Sequence, residues 1–390
     1  MEKILMIKYA ELTTKKDNRN YFINTLEKNI MSSLSDLNIE IIKDYYRMFI
    51  ITNDIDEVTN RLKNIFGIYE IVPCIRSNDS SFDNICSISK DLMKDNVTFK
   101  VVTNRSDKSY LIPSMELSRK VGGYLLKSFN NLKVDVHNPS VTLNIEIRKE
   151  GVYIYTEGFK GMGGYPTGTL GKCLLMLSGG IDSIVAGYLT MKRGVKLDFI
   201  YFESLPHTSL EAREKVIRLA KILKKYGNTG KLYVVPFTKI QESIYKELDP
   251  TYMITIMRRM MYRIGEKVAK RSKCNAIVNG ESIGQVASQT LTSIKVVNDV
   301  TNYPIIRPLA SFDKLEIIDI AKRIGSYDIS ILPYEDCCTI FVPTHPVINP
   351  NLEYARTLEN KLDMSLIDEA IDNILTIKLN DNSVVEEDYL

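Results

Sequence analysis

Leu177-Ser178-Gly179-Gly180-Ile181-Asp182-Ser183 is the segment of this chain with the clearest capacity for chemistry. It follows the apolar run Cys173–Leu177 and leads into the helical pattern Asp182–Lys192, so it lies where a strand hands over to a helix. Two adjacent glycines let backbone N–H groups turn toward an anion without Cβ obstruction. The helix N-terminus adds unpaired donors and the positive end of a dipole. Ser178 and Ser183 add hydroxyls. Asp182 stands in the first helical turn, where an acid is favoured, and is placed to orient a Mg²⁺ carried by phosphates. A polyphosphate is the ligand that suits this set. The second reactive feature is Tyr334-Glu335-Asp336-Cys337-Cys338-Thr339, a polar stretch that keeps a thiol accessible. Its two acids raise the pKa of that thiol unless offset. The other cysteines, Cys74, Cys86, Cys173 and Cys274, form no CxxC pair, and the histidines show no HExxH spacing. No metal site built from protein ligands alone is expected.

Other phosphate and nucleophile loops fail on detail. A Walker A loop needs GxxxxGK[ST] after a strand. In this chain Gly171-Lys172 precedes the strand, Pro166 stands at the first glycine and Cys173 at the Ser/Thr. GxGxxG is absent, and Met176 occupies the first glycine of a nucleophile elbow. SGGxDS between strand and helix resembles the PP-loop of ATP pyrophosphatases, which cleave ATP between the α and β phosphates and transfer AMP to an oxygen. The plain alternative is a tight Gly-Gly turn without a ligand. Both serines and the flanking elements weigh against it.

The elements that must position these groups follow from periodicity. Residues 1–75 read as β-α-β-β-α-β, the order of a ferredoxin-like α+β unit. The polar stretch Ser77–Asn84 is a boundary. Residues 85–158 form a second α/β block, with a strand at Phe99–Thr103 and a helix at Ser114–Lys127. Strands Val141–Ile147 and Val152–Thr156 form a hairpin around Glu150-Gly151. The Gly-rich segment 158–168 is a connector. From Lys172 strand and helix alternate as in a doubly wound parallel sheet, where ligands sit at strand carboxyl ends. The strands are Cys173–Leu177, Leu197–Phe202, Leu232–Phe237 and Ala276–Val278. The helices are Asp182–Lys192, Leu210–Tyr226, Met253–Lys270 and Leu315–Ile324. Residues 351–390 read as one helix-like stretch and a frayed acidic end. The expected divisions are 1–76, 77–165 and 166–390.

With 390 residues, 44% hydrophobic and 25% charged, the chain is ordinary globular protein of two or three domains. No apolar run reaches the ~20 residues that span a bilayer, and the N-terminus lacks a signal-peptide h-region. A cytoplasmic protein without membrane contact is expected. Residues 171–350 hold 25 Lys and Arg against 17 Asp and Glu, whereas 351–390 hold 3 against 10. The basic middle suits a polyanionic partner.

Beyond the loop, AELTTKKDNR at 10–19, the Gly163-Gly164 pair, MRRMMYRI at 257–264, NGESIGQVASQTL at 279–291, TNYPIIRPL at 301–309 and YEDCCTIF at 334–341 together resemble one family. They resemble the ThiI-type tRNA 4-thiouridine synthetases (tRNA sulfurtransferases) over nearly the whole chain. The resemblance implies a ferredoxin-like domain, a THUMP RNA-binding domain and a PP-loop domain, in that order. It implies adenylation of O4 of uridine 8 in tRNA by ATP and Mg²⁺, then sulfur delivery from a cysteine persulfide. It places phosphate contacts on Ser178, Gly179, Gly180, Asp182 and Ser183. Further ATP contacts fall on Met176, Leu177, Tyr201, Phe202, Arg258, Gly280 and Gln289, and Cys337 carries the persulfide. For Arg258 a solvated basic face, and for Gly280 a plain turn, are equal readings on residues alone.

The resemblance also implies a homodimer, a cysteine desulfurase as sulfur donor and a role in thiamine (thiazole) synthesis. The chain ends about 50 residues after Cys338, which leaves no room for the rhodanese domain of longer members, so a short form with direct loading of Cys337 is expected. Cys338 is read as packed; as a resolving thiol it would need a strained adjacent-cysteine disulfide. The N-terminal motif departs from the family's GEIxLKGKNR but keeps Lys15, Lys16 and Arg19 for phosphate positioning. Two alternatives stand beside this reading. One is another PP-loop adenylating enzyme acting on a small molecule or a different RNA base. The other is a non-catalytic RNA-binding protein, against which the intact SGGIDS and Cys337 argue.

Overall fold

The computed structural model describes residues 1–390 except 10, 15, 16, 45, 228, 229, 342, 344, 380–383, 389 and 390; of residues 13, 14, 338, 339 and 384–388 it describes the backbone only. The chain divides into two compact units, 1–164 and 165–390.

The first unit opens with β1 (Glu2–Tyr9), α1 (Arg19–Ser33), β2 (Glu40–Lys43), β3 (Arg47–Ile51), α2 (Ile55–Leu62) and β4 (Ile68–Ser77). This is the expected β-α-β-β-α-β order. The strands lie β2-β3-β1-β4 with every neighbour antiparallel. Alternate residues of β1 point to opposite faces, and both faces are covered. Ile4 and Met6 pack with Phe49, Val72, Tyr153 and Tyr155, while Leu5 and Ile7 are fully buried as well. That double burial accounts for the unbroken apolar run. There follow α3 (Phe82–Leu92), β5 (Thr98–Arg105), α4 (Ser114–Ser128), β6 (Lys133–Val134), β7 (Val141–Arg148), β8 (Gly151–Tyr155) and β9 (Phe159–Lys160).

The β7–β8 hairpin forms as expected. Helix α3 is an addition to the elements expected from sequence. Ser81, inside the stretch assigned to a boundary, caps it by accepting from the Asn84 N–H at 3.4 Å, and Ile85 and Ile88 join the core under β7 and β8. The two blocks also share a sheet. The end of β4 pairs with β8 (Ile75 opposite Ile154, Ser77 opposite Val152), so β2-β3-β1-β4-β8-β7-β5-β6 runs continuously, with β9 also on β4.

The second unit begins with β10 (Lys172–Met176), α5 (Ile181–Lys192), β11 (Lys196–Glu203), α6 (Leu210–Lys224), β12 (Lys231–Pro236) and α7 (Thr238–Glu247). Then come α8 (Met253–Arg271), β13 (Ala276–Val278), α9 (Leu291–Asn298), β14 (Ile305–Ile306), α10 (Lys314–Arg323), α11 (Tyr327–Ser330) and α12 (Cys337–Ile340). It ends with α13 (Leu352–Glu359), α14 (Ser365–Asp372), β15 (Leu375–Leu379) and β16 (Val384–Asp388). The sheet order is β14-β13-β10-β11-β12-β15-β16, and its first five strands are parallel.

Leu174 and Ile200 face the core built on α8, whereas Leu175 and Leu197 surround Gly187 of α5. Helices therefore cover both faces, which explains the continuous apolar strands. Each such buried aliphatic side chain contributes about 1.5–3 kcal/mol. The C-terminal part differs from expectation: 351–390 supplies two helices and then β15, which pairs antiparallel with β12. The alternation in Leu375-Thr-Ile-Lys-Leu379 suits an edge strand, and a helix cannot fill the open side of β12.

From β10 the chain winds outward to β11 and β12, then returns past β10 to add β13 on the other side. The loops after β10 and β13 diverge there, leaving a crevice at the strand carboxyl ends.

Candidate active site

The loop after β10 is organised by its two serines. Ser183 Oγ accepts from the Ser178 N–H (3.1 Å) and donates to the Ser178 carbonyl (3.1 Å), tying the loop to the first turn of α5. The Gly180 N–H donates to Ser178 Oγ at 3.2 Å. The Gly179 N–H donates to Asp336 Oδ1 at 3.0 Å. Neither glycine has a positive φ, so the loop needs them for space rather than for backbone conformation. A Cβ on Gly179 would lie 3.1 Å from Asp336 Oδ1 and 3.3 Å from the Lys215 side chain.

Beside this loop lies a cavity of about 310 Å³. β10 and its loop contribute Met176, Leu177, Ser178, Asp182 and Ser183; β11 contributes Tyr201 and Phe202. Arg258 enters from α8, Gly280 follows β13, and Gln289 and Cys337 close the rim. Of the site residues expected from sequence, only Gly179 and Gly180 do not line it. Gly280 owes its identity to packing: a Cβ there would lie 2.6 Å from both Asp182 C and Ser183 N. Neither a plain turn nor an approach to a ligand is needed to explain it. The backbone after β13 rests directly on the helix turn that carries Asp182.

The arginines of α8 are not a solvated face. Arg258 pairs with Glu281 and donates to the Ser288 carbonyl. Arg259 is 1% exposed and bonds Glu359 at 2.7 Å, and Arg263 bonds the same carboxylate at 3.0 Å. Glu281 also accepts from Arg307 at 2.6 Å. Asp182 accepts from Lys314 (2.6 Å) and Gln285 (3.0 Å). The Tyr201 hydroxyl and Gln289 Oε1 are buried at the cavity without a hydrogen-bond partner among the described residues, which is costly unless a ligand supplies one. Burial, then the charges of Asp336 and Cys337, push the Tyr201 hydroxyl well above the ordinary phenol range, so it stays a donor.

Among the described residues no group of three His, Cys, Asp or Glu is arranged to hold a metal by itself. Mg²⁺ needs less, because it is commonly held by one or two carboxylates together with substrate phosphates. Asp182 and Asp336 both face the cavity and fit that donor set.

Cys337 corrects the expectation of an accessible thiol. It is 5% exposed and opens α12, and its carbonyl accepts from Gln241 Nε2 at 2.6 Å. Instead of facing solvent it lines the cavity that holds the loop. Cys74 and Cys173 are core, and burial pushes their thiols up to about 12; Cys86 and Cys274 rise to about 11 for the same reason.

The side chain of Cys338, and Lys15 and Lys16, lie outside the described residues. Arg19, expected to meet phosphate, is 4% exposed and stacks over Tyr46 at 5.8 Å. Asp336 is a site residue that the sequence does not reveal. Locally it is only an acid beside a thiol, and nothing near it signals that it reaches Gly179 across 157 residues. Burial raises its carboxyl above the usual range, offset in part by the Gly179 N–H, Lys215 and Ser178. Lys215, Glu281 and Lys314 escape a sequence reading for the same reason.

Three family models match the chain: the ThiI ferredoxin-like domain over 4–72, the THUMP domain over 80–157, and "Thiamine biosynthesis protein (ThiI)" over 168–364. A probable tRNA sulfurtransferase of Halothermothrix orenii is 47% identical, over 97% of this chain and 100% of that protein. One from a Thermoanaerobacter species is 48% identical, over 93% of this chain and 96% of that protein. A solved 4-thiouridine synthetase, in complex with RNA and bound ATP, superposes with a TM-score of 0.89 at 36% identity, covering 96% of this chain and 99% of that one.

Proposed function

The chain belongs to the ThiI family of tRNA sulfurtransferases, and on that footing we propose that it adenylates O4 of uridine 8 in tRNA and then replaces that oxygen with sulfur carried on Cys337. It is an enzyme that transfers sulfur to tRNA. One observation carries the finer reading: Ser178 and Ser183 of the SGGxDS loop, Asp182 and Cys337 all border one cavity.

ATP is the co-substrate in this scheme. Its phosphates meet the N–H groups of Gly179 and Gly180 and the hydroxyls of Ser178 and Ser183. Arg258, held by Glu281, adds a cation at the cavity wall. The adenosine occupies the space between Met176, Leu177, Tyr201, Phe202, Gly280 and Gln289, where the Tyr201 hydroxyl and Gln289 Oε1 gain partners. Asp182, together with the phosphates, would hold Mg²⁺, and the ion would supply charge neutralisation for the departing pyrophosphate. The uridine O4 attacks the α-phosphorus and becomes part of an AMP ester, a far better leaving group than a carbonyl oxygen. The terminal persulfide sulfur then adds at C4 and AMP leaves, which gives a disulfide between C4 and Cys337. A second thiol, such as free cysteine, reduces that bond, freeing 4-thiouridine and returning the Cys337 thiol. Placing donor and acceptor in one cavity makes the second step effectively unimolecular.

Family membership further supports a cysteine desulfurase that loads Cys337, a homodimer, a cytoplasmic setting and a sulfur-transfer role in thiazole synthesis. Among the described residues no helix is long and apolar enough to cross a membrane. In this scheme 1–76 and 77–165 bind tRNA and 166–390 carries the chemistry.

The two half-reactions separate by mutation. With tRNA and ATP–Mg²⁺ but no sulfur donor, wild type and Cys337→Ser should release pyrophosphate, and Asp182→Ala should do so about 100- to 1000-fold more slowly. Loss of release in Cys337→Ser, or its survival in Asp182→Ala, would contradict these roles. Release of pyrophosphate with a small molecule in place of tRNA would favour the alternative adenylating enzyme.

A further inference from the structure

The Gly179 N–H, a donor that meets a phosphate oxygen in the proposed scheme, is occupied by the Asp336 carboxylate at 3.0 Å. The next residue is Cys337. The segment that carries both is fastened at several points. Lys215 Nζ donates to the Leu332 carbonyl at 2.8 Å, and Gln241 Nε2 donates to the Cys337 carbonyl at 2.6 Å. Phe341 sits against His207 and Tyr245, with ring centroids 5.1 and 4.9 Å apart. In this closed arrangement Cys337 is 5% exposed and faces the cavity rather than the outer surface.

Asp336 and a phosphate oxygen compete for the same N–H. Resting on the assignment of the loop to ATP phosphates, we propose that Asp336 stands in for a phosphate oxygen on the loop, and that a pyrophosphate group entering the cradle displaces it and frees the strap that carries Cys337 for sulfur loading.

The physical basis is charge and geometry. A pyrophosphate group brings several negative charges and more acceptor oxygens to a cradle that otherwise holds one carboxylate, and charge-assisted hydrogen bonds are the strong ones. Once displaced, Asp336 faces like charge and cannot return while the phosphates remain. One neutral hydrogen bond from Gln241 and the ring contacts of Phe341 then hold the strap beyond Asp336 and give way, while Lys215 keeps its start at the Leu332 carbonyl, so it opens as a local event. Sulfur loading thereby follows nucleotide binding, which limits exposure of a persulfide in the empty enzyme.

The test is the rate at which iodoacetamide alkylates Cys337 in the full-length protein, read by peptide mass. It is run without ligand, with pyrophosphate and with adenosine, and binding of ATP and pyrophosphate is measured in parallel by calorimetry. Pyrophosphate should accelerate alkylation about tenfold or more, the scale set by losing one charge-assisted hydrogen bond. Adenosine should not. Asp336→Ala should react at the fast rate with no ligand present. Cys173 and Cys274, both core, must stay unreactive in that variant; if they react, it has unfolded and the wild-type arms decide. Pyrophosphate that binds yet leaves the Cys337 rate unchanged, or slows it, overturns the displacement while leaving the nucleotide site intact. Failure of ATP and pyrophosphate to bind at all overturns the nucleotide reading and this inference with it.

Discussion

Cys337 is shielded from solvent and open to the cavity, and that separates it from the other cysteines whose side chains are described. Cys74, Cys86, Cys173 and Cys274 are core residues with thiols held neutral by burial, so Cys173→Ser should leave turnover within about twofold of wild type. Gly280 makes a sharper prediction. A methyl group there meets the backbone of Asp182 and Ser183 at 2.6 Å, so Gly280→Ala must push the post-β13 loop off α5. Overpacking of this kind costs about 1–3 kcal/mol. Calorimetry should show a lower Tm together with weaker ATP binding; an unchanged Tm would mean that the contact relaxes freely.

Tyr201→Phe distinguishes a ligand contact from a structural one. Its hydroxyl is buried without a hydrogen-bond partner among the described residues, so the variant should be at least as stable as wild type yet bind ATP about tenfold more weakly. Equal ATP affinity would remove Tyr201 from the site. The loop residues are legible in sequence because SGGxDS is local and its chemistry needs only neighbours. Asp336, Lys215 and Lys314 are not, because each reaches the loop from a distant segment and carries no signature where it stands.

At the scale of elements, strands buried on both faces are the most legible. β10, β11 and β12 read as unbroken apolar runs because helices pack on either side. α3 is obscured by the polar residues that form its cap, and β15 by the acidic composition around it. The α8–α13 junction is hidden in another way. MRRMMYRI carries three arginines, and a one-dimensional pattern cannot tell solvated cations from buried pairs.

In the fold, Arg259 and Arg263 converge on Glu359, whose side chain is 5% exposed. Burial pushes that carboxyl up, but the hydrogen bonds and charges of the two arginines outweigh it and hold the pKa below the usual glutamate range. A depressed folded-state pKa stabilises the fold above the unfolded value of about 4.3, and that stability is lost as pH falls through the folded value. Wild type should therefore lose stability on acidification below about pH 4.5 more steeply than Glu359→Gln. At pH 7 the variant should be less stable by about 3 kcal/mol, because Arg259 stays buried with the Val296 carbonyl and, for its charge, Asp299 at 3.4 Å. Parallel acid limbs for the two proteins in urea titrations would place the linkage elsewhere.

At the scale of the molecule, charge and division into units bear on tRNA. Residues 171–350 are basic, 25 Lys and Arg against 17 Asp and Glu, and residues 351–390 are acidic. A polyanion bound mainly through its backbone should be released by salt. The affinity for tRNA should fall about a hundredfold between 50 and 200 mM salt, the loss for roughly four phosphate contacts. A flat salt response would argue for base contacts alone.

The ATP loop and Cys337 are proposed to serve one reaction in one cavity. The decisive experiment supplies unmodified tRNA, ATP–Mg²⁺, cysteine and a cysteine desulfurase, then maps sulfur in the tRNA by mass. Wild type should yield 4-thiouridine at position 8, and neither Asp182→Ala nor Cys337→Ser should yield any. Sulfur at another position, or undiminished product from Cys337→Ser, would contradict a shared site.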